Sequence, residues 1–271
     1  MAVHPEDLTT EQRIALLTQK YSSESDVYER LWAPGLRRMG VELLERLEPA
    51  GVRAALDVGA GVGALLDDVA QHAPEALIVG SDRALGMLQL ASRRHALTVA
   101  DATRLPFRDR SFDLITMTFV LFHLPHPVDG LQEATRVLVP GGRVATATWG
   151  DEETWPVLDA WHDELDRYGV DTPGGLHSLH ELVDTPEKMA MHMRDTRLGD
   201  VQTWTSTLER TWDVETFIAF ATGMATAKRR FDMLAQKDRR RFLETATSRI
   251  RELPAAAFIS RTEVVFGVGT R

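Results

Sequence analysis

The chain has 271 residues, 44% of them hydrophobic and 26% charged, with a net charge of -9 and no cysteine. This length and apolar content suit one large α/β domain, or a core with a modest lid. The missing cysteine excludes disulfides, thiolate metal sites and cysteine nucleophiles, and the acidic balance opposes a surface that tracks nucleic-acid phosphates. No stretch approaches the roughly 18 consecutive apolar residues of a spanning helix, and the start, MAVHPEDLTTEQ, is polar and acidic. The expectation is therefore a soluble, cytoplasmic protein with a small-molecule partner, no nucleic acid and no membrane span, as a monomer or homodimer.

In chain order, residues 1–50 read as a helical cap, with Leu16, Tyr28, Leu31, Trp32, Leu36 and Met39 near helical spacing and Gly40 and Pro49 as punctuation. From Arg53 the rhythm changes to short apolar runs separated by amphipathic stretches, the pattern of βαβ units. Strands are predicted at 55–58, 76–80, 97–100, 112–121 and 143–149. Helices are predicted at Ala64–His72, Leu85–Arg93 and Val128–Leu138, the last ended by Pro140-Gly141-Gly142.

Residues 151–199 read as an inserted lid containing a turn-rich stretch from Val170 to Gly175. Two further strands, at 201–211 and 258–268, enclose helices at 213–222 and 229–251. The whole reads as a single domain over 1–271: cap at 1–50, core at 51–150, lid at 151–199 and sheet-completing elements at 200–271. The run from Lys228 to Arg241 carries seven basic residues against Asp232 and Asp238 and reads as a solvated helix face.

The most informative segment is Ala54-Ala55-Leu56-Asp57-Val58-Gly59-Ala60-Gly61-Val62-Gly63, an apolar strand entering three alternating glycines. Glycine permits positive φ and lets a ligand lie against the backbone, and the helix that follows offers unpaired N–H groups at its start. Alone, the loop also satisfies the relaxed NAD-binding fingerprint. Asp82, 23 positions after Gly59, suits a ribose under either cofactor or serves as an ordinary helix cap. Asp101 caps a turn or faces a base, and Met87 is core or an adenine contact. Asp57 touches ligand or simply shapes the loop.

Asp57 before the glycines, Asp101-Ala102 after the third strand and Leu138-Val139-Pro140-Gly141-Gly142-Arg143 before the fifth together favour S-adenosylmethionine (SAM) over NAD. With Leu105-Pro106-Phe107 and Ser111-Phe112-Asp113, residues 50–150 resemble class I SAM-dependent methyltransferases, particularly the bacterial group acting in quinone and natural-product biosynthesis. The resemblance implies a doubly wound, mostly parallel seven-stranded sheet, Rossmann-like, with a helical cap, a helical lid and a last strand, from Thr262 to Thr270, antiparallel. It implies SAM as cofactor and S-adenosylhomocysteine (SAH) as product. Asp57, Gly59, Gly61 and Gly63 would receive the methionine part, Asp82 the ribose, and Met87 and Asp101 the adenine, with Ala60, Arg83, Ala102, Thr118 and Phe119 completing the cofactor site.

Methyl transfer needs mainly alignment of acceptor, methyl carbon and sulfur, so a base is optional. A neutral imidazole suits an acceptor hydroxyl or acidic carbon, and His123, after strand four, is the candidate base, against a structural or cofactor-side role. His126, between two prolines, reads as exposed. The Asn/Asp-Pro-Pro-Tyr/Trp motif of members that methylate amino groups of nucleobases or glutamine is replaced by Thr118-Phe119-Val120-Leu121, which disfavours nucleic-acid amine methylation, and O- or C-methylation of a small metabolite is the favoured reaction. No set of clustered carboxylates suggests a metal. Tyr21, Tyr28 and Trp32 in the cap, with Trp149, Trp155 and Trp161, are candidates for an apolar acceptor wall or for plain packing. The alternatives are a non-methylating SAM-binding module and an NAD(P)-dependent oxidoreductase, the latter lacking a Tyr-x-x-x-Lys set.

Overall fold

The structure, a computed structural model, describes residues 9–47, 49, 51–152, 155–171 and 179–271. Most of the expected Val170–Gly175 turn region thus lies outside the described residues. Seven strands form one sheet: β1 (Ala54–Val58), β2 (Leu77–Asp82), β3 (Ala96–Val99), β4 (Phe112–Thr118), β5 (Leu138–Glu152), β6 (Gly199–Thr211) and β7 (Ile259–Thr270). Their order is β3-β2-β1-β4-β5-β7-β6. The first five pair in parallel. β7 runs against β5, because Arg271 exchanges backbone bonds with Gly141 and Gly142 while Glu263 lies against Gly150. This is the expected doubly wound, mixed seven-stranded fold.

The near-continuous apolar character of β1 and β4 follows from burial on both faces. Leu56, Leu114 and Ile115 are fully buried at the centre. Asp113 fixes the entry to β1 by accepting from the Arg53 and Ala54 amides at 3.0 and 2.9 Å. Since strand order reverses between β1 and β4, a crevice opens beyond their carboxyl ends, where open α/β sheets hold ligands.

One compact unit comprises the described residues of 9–151, 177–206 and 263–271. It opens with three helices, α1 (Thr10–Ser23), α2 (Ser25–Leu31) and α3 (Ala33–Leu47). The sequence dictates the start of α1: the Thr9 side chain accepts from the Gln12 amide while the Gln12 side chain accepts from Thr9, a capping box. Gly40 corrects the expectation of a break. It lies inside α3, where an added Cβ would sit 2.6 Å from the Leu65 side chain, so its role is close packing. α4 (Leu66–His72) starts two residues later than expected, and α5 (Leu85–Leu88) is much shorter than Leu85–Arg93. α6 (Pro127–Val137) passes directly into β5, five residues earlier than expected, with a register shift in its pairing to β4 between Phe112 and Leu114.

A second compact unit gathers the described residues of 152–176 and 207–262. It holds α7 (Pro156–Arg167), α9 (Val214–Gly223), α10 (Ala225–Met233) and α11 (Gln236–Arg251), whereas α8 (Pro186–Asp195) belongs to the first unit. The single helix expected at 229–251 is thus two, separated where Leu234 and Ala235 turn extended. Trp161 is fully buried, edge-on to Phe242 at 4.8 Å and packed with Phe217 and Phe231. Trp155 is buried against Trp212, Phe217 and Phe220. Both tryptophans form this unit's own core. The basic run is not wholly a solvated face either: Arg230 is buried and donates to His162 at 2.9 Å, Asp166 and the Val170 carbonyl.

Candidate functional site

The glycine loop leaves β1 with Gly59, Gly61 and Gly63 all at positive φ, at 72°, 56° and 74°. That conformation is nearly free for glycine and costly for any other residue. The Gly59 and Ala60 amides bond the Ser81 carbonyl at 2.7 and 2.9 Å, tying the loop to the end of β2. A Cβ on Gly59 would overlap Val120 Cγ2, so the backbone needs a bare Cα there. Gly63 differs: its Cα faces Ala91 and Leu66, and it does not line the crevice.

Next along the crevice, Asp82 accepts from the Gly61 amide at 2.9 Å through Oδ2 and from the Ala84 amide at 2.8 Å through Oδ1. The N-cap of α5 is Ala84, without a side-chain cap bond, so the Asp82 contact closes a turn rather than capping the helix. Each carboxylate oxygen keeps a lone pair for a further donor. Burial raises its pKa, against the pull of the Ala84 and Gly61 amides and the Arg83 charge. Asp101 accepts from the Thr103 amide and hydroxyl, both at 2.8 Å, and from Arg83 Nη2 at 3.0 Å. Desolvation pushes its pKa up, but these donors outweigh it and hold the carboxyl below its ordinary value.

The crevice is walled by Gly59, Gly61, Asp82, Arg83, Met87 and Ala102 together with Tyr21, Tyr28, Thr118, Phe119 and His123. Met87 is both core and wall, packing with Val62, Ala84, Tyr21 and Tyr28. A smaller cavity behind the glycine loop is lined by Asp57, Ala60, Arg37, Thr118 and Phe119, among others. Asp57 is buried between Gly80 of β2 and Thr116 of β4 and accepts from the Thr116 hydroxyl at 2.7 Å. Burial pushes its pKa up to about 7, opposed by the Thr116 hydrogen bond and reinforced by the charge of Asp82.

In the same crevice the Tyr21 hydroxyl lies 3.0 Å from His123 Nε2. His123 Nδ1 is buried with no hydrogen-bond partner. Burial, together with the charges of His180, Lys20 and Arg83, pushes the His123 imidazole down to about 3, so it is neutral at pH 7. Burial raises the phenols of Tyr21 and Tyr28. Phe122 stacks on His180 with ring centroids 4.3 Å apart, and the Leu179 amide donates to the Phe122 carbonyl. His126 is exposed, as expected.

Of the expected acceptor wall, Tyr21 and Tyr28 line the crevice. Trp149 instead packs on Phe119 at 4.4 Å and on Trp32 at 5.8 Å, and neither tryptophan lines it. Leu17 and Thr18 of α1, with Ala84, Ala100, Val120 and Leu124, complete the lining and were not expected. The i, i+1, i+4 spacing of Leu17, Thr18 and Tyr21 was the available signal. Phe119 has φ 59°, an unusual conformation for an aromatic residue. Such strain concentrates at functional sites.

Residues 56–146, from mid-β1 into β5, match the family model described as "Methyltransferase domain". The chain is 37% identical over 141 residues to the demethylmenaquinone methyltransferase of Corynebacterium urealyticum, covering 52% of this chain and 56% of that protein. It is 35% identical over 134 residues to the ubiquinone/menaquinone biosynthesis C-methyltransferase UbiE of Dinoroseobacter shibae, covering 45% and 53%. The chain thus spans about half the length of the curated relatives it matches. Phosphoethanolamine N-methyltransferase 2 of Haemonchus contortus, solved with phosphomonomethylethanolamine and SAH, superposes with a TM-score of 0.57 at 15% identity, covering 98% of this chain and 61% of that one. The fold is one that this chain shares with that solved structure, and residues 56–146 are similar to a methyltransferase domain.

The residues present have a chemistry that fits SAM. Gly59 and Gly61 line the crevice without side chains, Asp82 keeps a lone pair on each carboxylate oxygen, and Asp57 lines the smaller cavity against the same loop. No helix among the described residues is long and apolar enough to cross a membrane.

Proposed function

We propose that this chain transfers a methyl group from SAM to a small-molecule acceptor, at oxygen or carbon and without a metal. The observation that carries this reading is the crevice itself. It is lined by both Asp82, beside the bare glycine loop, and the neutral imidazole of His123, so one cavity would serve the cofactor and the proton acceptor. Gly59, Ala60, Gly61, Asp57, Thr118 and Phe119 would hold the methionine part of the cofactor, Asp82 and Arg83 its ribose, and Met87, Asp101 and Ala102 its adenine. Bound there, SAM supplies a methyl group already activated by positive charge on sulfur.

The remaining work belongs to the chain. Tyr21 and Tyr28 exclude water and present aromatic surface to an apolar acceptor. His123 would offer a lone pair that orients an acceptor O–H or acidic C–H and would take that proton as the acceptor is methylated, so that the positive charge passes to the imidazolium within the cavity. The relatives named for demethylmenaquinone, ubiquinone and menaquinone make a reduced quinone the first acceptor to assay. A cytoplasmic location and a monomeric or homodimeric state accompany this reading.

The test is turnover of SAM to SAH by the purified chain with a reduced quinone, before and after dialysis against chelator. Turnover dependent on acceptor and indifferent to chelator is expected. Tight binding of SAM with no turnover on any acceptor would leave a non-methylating module, and binding of NAD alone would sink the reading. By calorimetry, Asp82→Ala should weaken SAH binding about tenfold or more, roughly 1.4 kcal/mol, through lost charge-assisted hydrogen bonds to the ribose.

His123→Asn should lower kcat at least about tenfold while leaving SAH affinity within about twofold, the signature of a group acting on the acceptor. Because the imidazole gains its proton only as pH falls through about 3, wild-type kcat should show no acid limb near the ordinary histidine pKa. A limb there, lost in His123→Asn, would contradict the buried neutral state.

A further inference from the structure

A neutral imidazole has one N–H and one lone pair, and the partners of its two nitrogens set which holds which. Nε2 of His123 meets the Tyr21 hydroxyl at 3.0 Å, a group that donates or accepts and so permits either tautomer. Nδ1 is therefore the deciding atom, and it is buried with no partner among the described residues. The neighbouring Phe122 carries a second imidazole: its ring centroid lies 4.2 Å from that of His123 and 4.3 Å from that of His180. His180 Nδ1 is likewise buried without a partner. The Leu179 amide donates to the Phe122 carbonyl at 2.7 Å, which ties the one-turn helix His180–Leu182 to the one-turn helix Leu121–His123. Burial lowers the His180 pKa, against the charges of Glu181 and Asp184, so this ring too is neutral at pH 7. It is close enough to bear electrostatically on His123. Buried polar atoms are nearly always paired, directly or through an ordered water. Two orphaned nitrogens packed on one phenyl ring satisfy each other when one holds a proton and the other a lone pair.

We infer that His180 is a positioning residue for His123: its Nδ1 lone pair, joined to His123 Nδ1 through one bridging water, holds the His123 proton on Nδ1 and leaves Nε2 bare for the acceptor. This rests on the reading of His123 as the proton acceptor. In the opposite tautomer Nε2 carries hydrogen, donates it to Tyr21, and has no lone pair to offer in the plane of the ring. His180 itself does not line the crevice, so its action is on the His123 ring alone.

The experiment is nitrogen-15 NMR of the full chain with labelled histidine, in which a protonated ring nitrogen and one bearing a lone pair resonate far apart. The signals missing from His123→Asn assign His123. Wild type should show His123 protonated at Nδ1 and bare at Nε2. His180→Phe keeps a ring against Phe122 and removes the nitrogen, so His123 should shift largely to the Nε2–H form. Its kcat should fall about tenfold or more, with SAH affinity within about twofold of wild type. His180→Asn returns an amide oxygen near the place of Nδ1 and should restore both the tautomer and most of kcat.

Wild-type His123 protonated at Nε2 overturns the inference whatever the chain turns over. A His180→Phe spectrum that keeps the wild-type tautomer overturns it as well. Equal losses of kcat in His180→Phe and His180→Asn, with the tautomer intact in both, make His180 a packing residue and nothing more. The expected tautomers in a chain that methylates no acceptor support the link between the two histidines and overturn the proton-acceptor reading instead.

Discussion

Gly59→Ala is expected to abolish measurable SAH binding and to lower the melting temperature by several degrees. Two costs add. The φ of 72° puts an L-residue in the left-handed region, at about 1–2 kcal/mol. The new Cβ also overlaps Val120 Cγ2, and overpacking costs about 1–3 kcal/mol when the neighbour must move. Relief requires displacing the loop from the Ser81 carbonyl or moving Val120, and both line or frame the crevice. Gly141→Ala is the matched control, with φ 79° and nothing within 4 Å of its Cβ. It carries the strain without the clash, so its melting shift should be smaller and its SAH affinity within about twofold of wild type. Equal effects of the two substitutions on SAH binding would remove the argument for a cradle shaped by Val120.

That loop was legible because its chemistry is local. Three alternating glycines after an apolar strand mean positive φ whatever the rest of the chain does, and Asp82 follows at the end of the next strand. The strands were legible for a similar reason, since their apolar runs are needed for burial on both faces. What failed to show depends on packing between distant segments. Gly40 looked like punctuation but serves a close approach to Leu65, on a different element. Pro140-Gly141-Gly142 looked like a turn, yet the chain is already paired at Leu138 and absorbs the irregularity as a register shift. Nothing around Leu234 and Ala235, neither glycine nor proline, marks the break between α10 and α11.

The site shows the same division. Tyr21 and His123 are 102 positions apart, and their hydrogen bond exists only once α1 lies along the crevice. Trp155 and Trp161 have the composition of a ligand wall, but the helices of the second unit bury them among Phe217, Phe220 and Phe242. Phe119 at φ 59° carries no sequence signal, because a strained aromatic residue is imposed by its surroundings and not by its own preference.

Asp57→Asn is expected to reverse its effect on stability with pH, destabilising the empty chain at about pH 4 and stabilising it at about pH 8. The unfolded aspartate ionises near 3.8, and burial moves the folded carboxyl up to about 7. Below the lower value both states hold the proton and Asp57 has no pH-linked effect. Between the two values the unfolded chain releases a proton that the folded chain keeps, so stability falls as pH rises. Above about 7 the loss is complete, and three units amount to about 4 kcal/mol. Asparagine escapes this loss and its Oδ1 still accepts from Thr116, but its buried amide hydrogens cost about 1–3 kcal/mol if unpaired. The balance is negative in acid and positive in base, readable as melting curves that cross. The same proton should appear in ligand binding. A cationic ligand in the cavity beside Asp57 favours the carboxylate, so wild-type SAM affinity should rise with pH up to about 7 and then level, with a proton released on binding below that point. In Asp57→Asn the affinity should be lower and flat across the same range. A pH-independent wild-type affinity, measured in buffers of different ionisation enthalpy, would mean that Asp57 shapes the loop and never meets the ligand's charge.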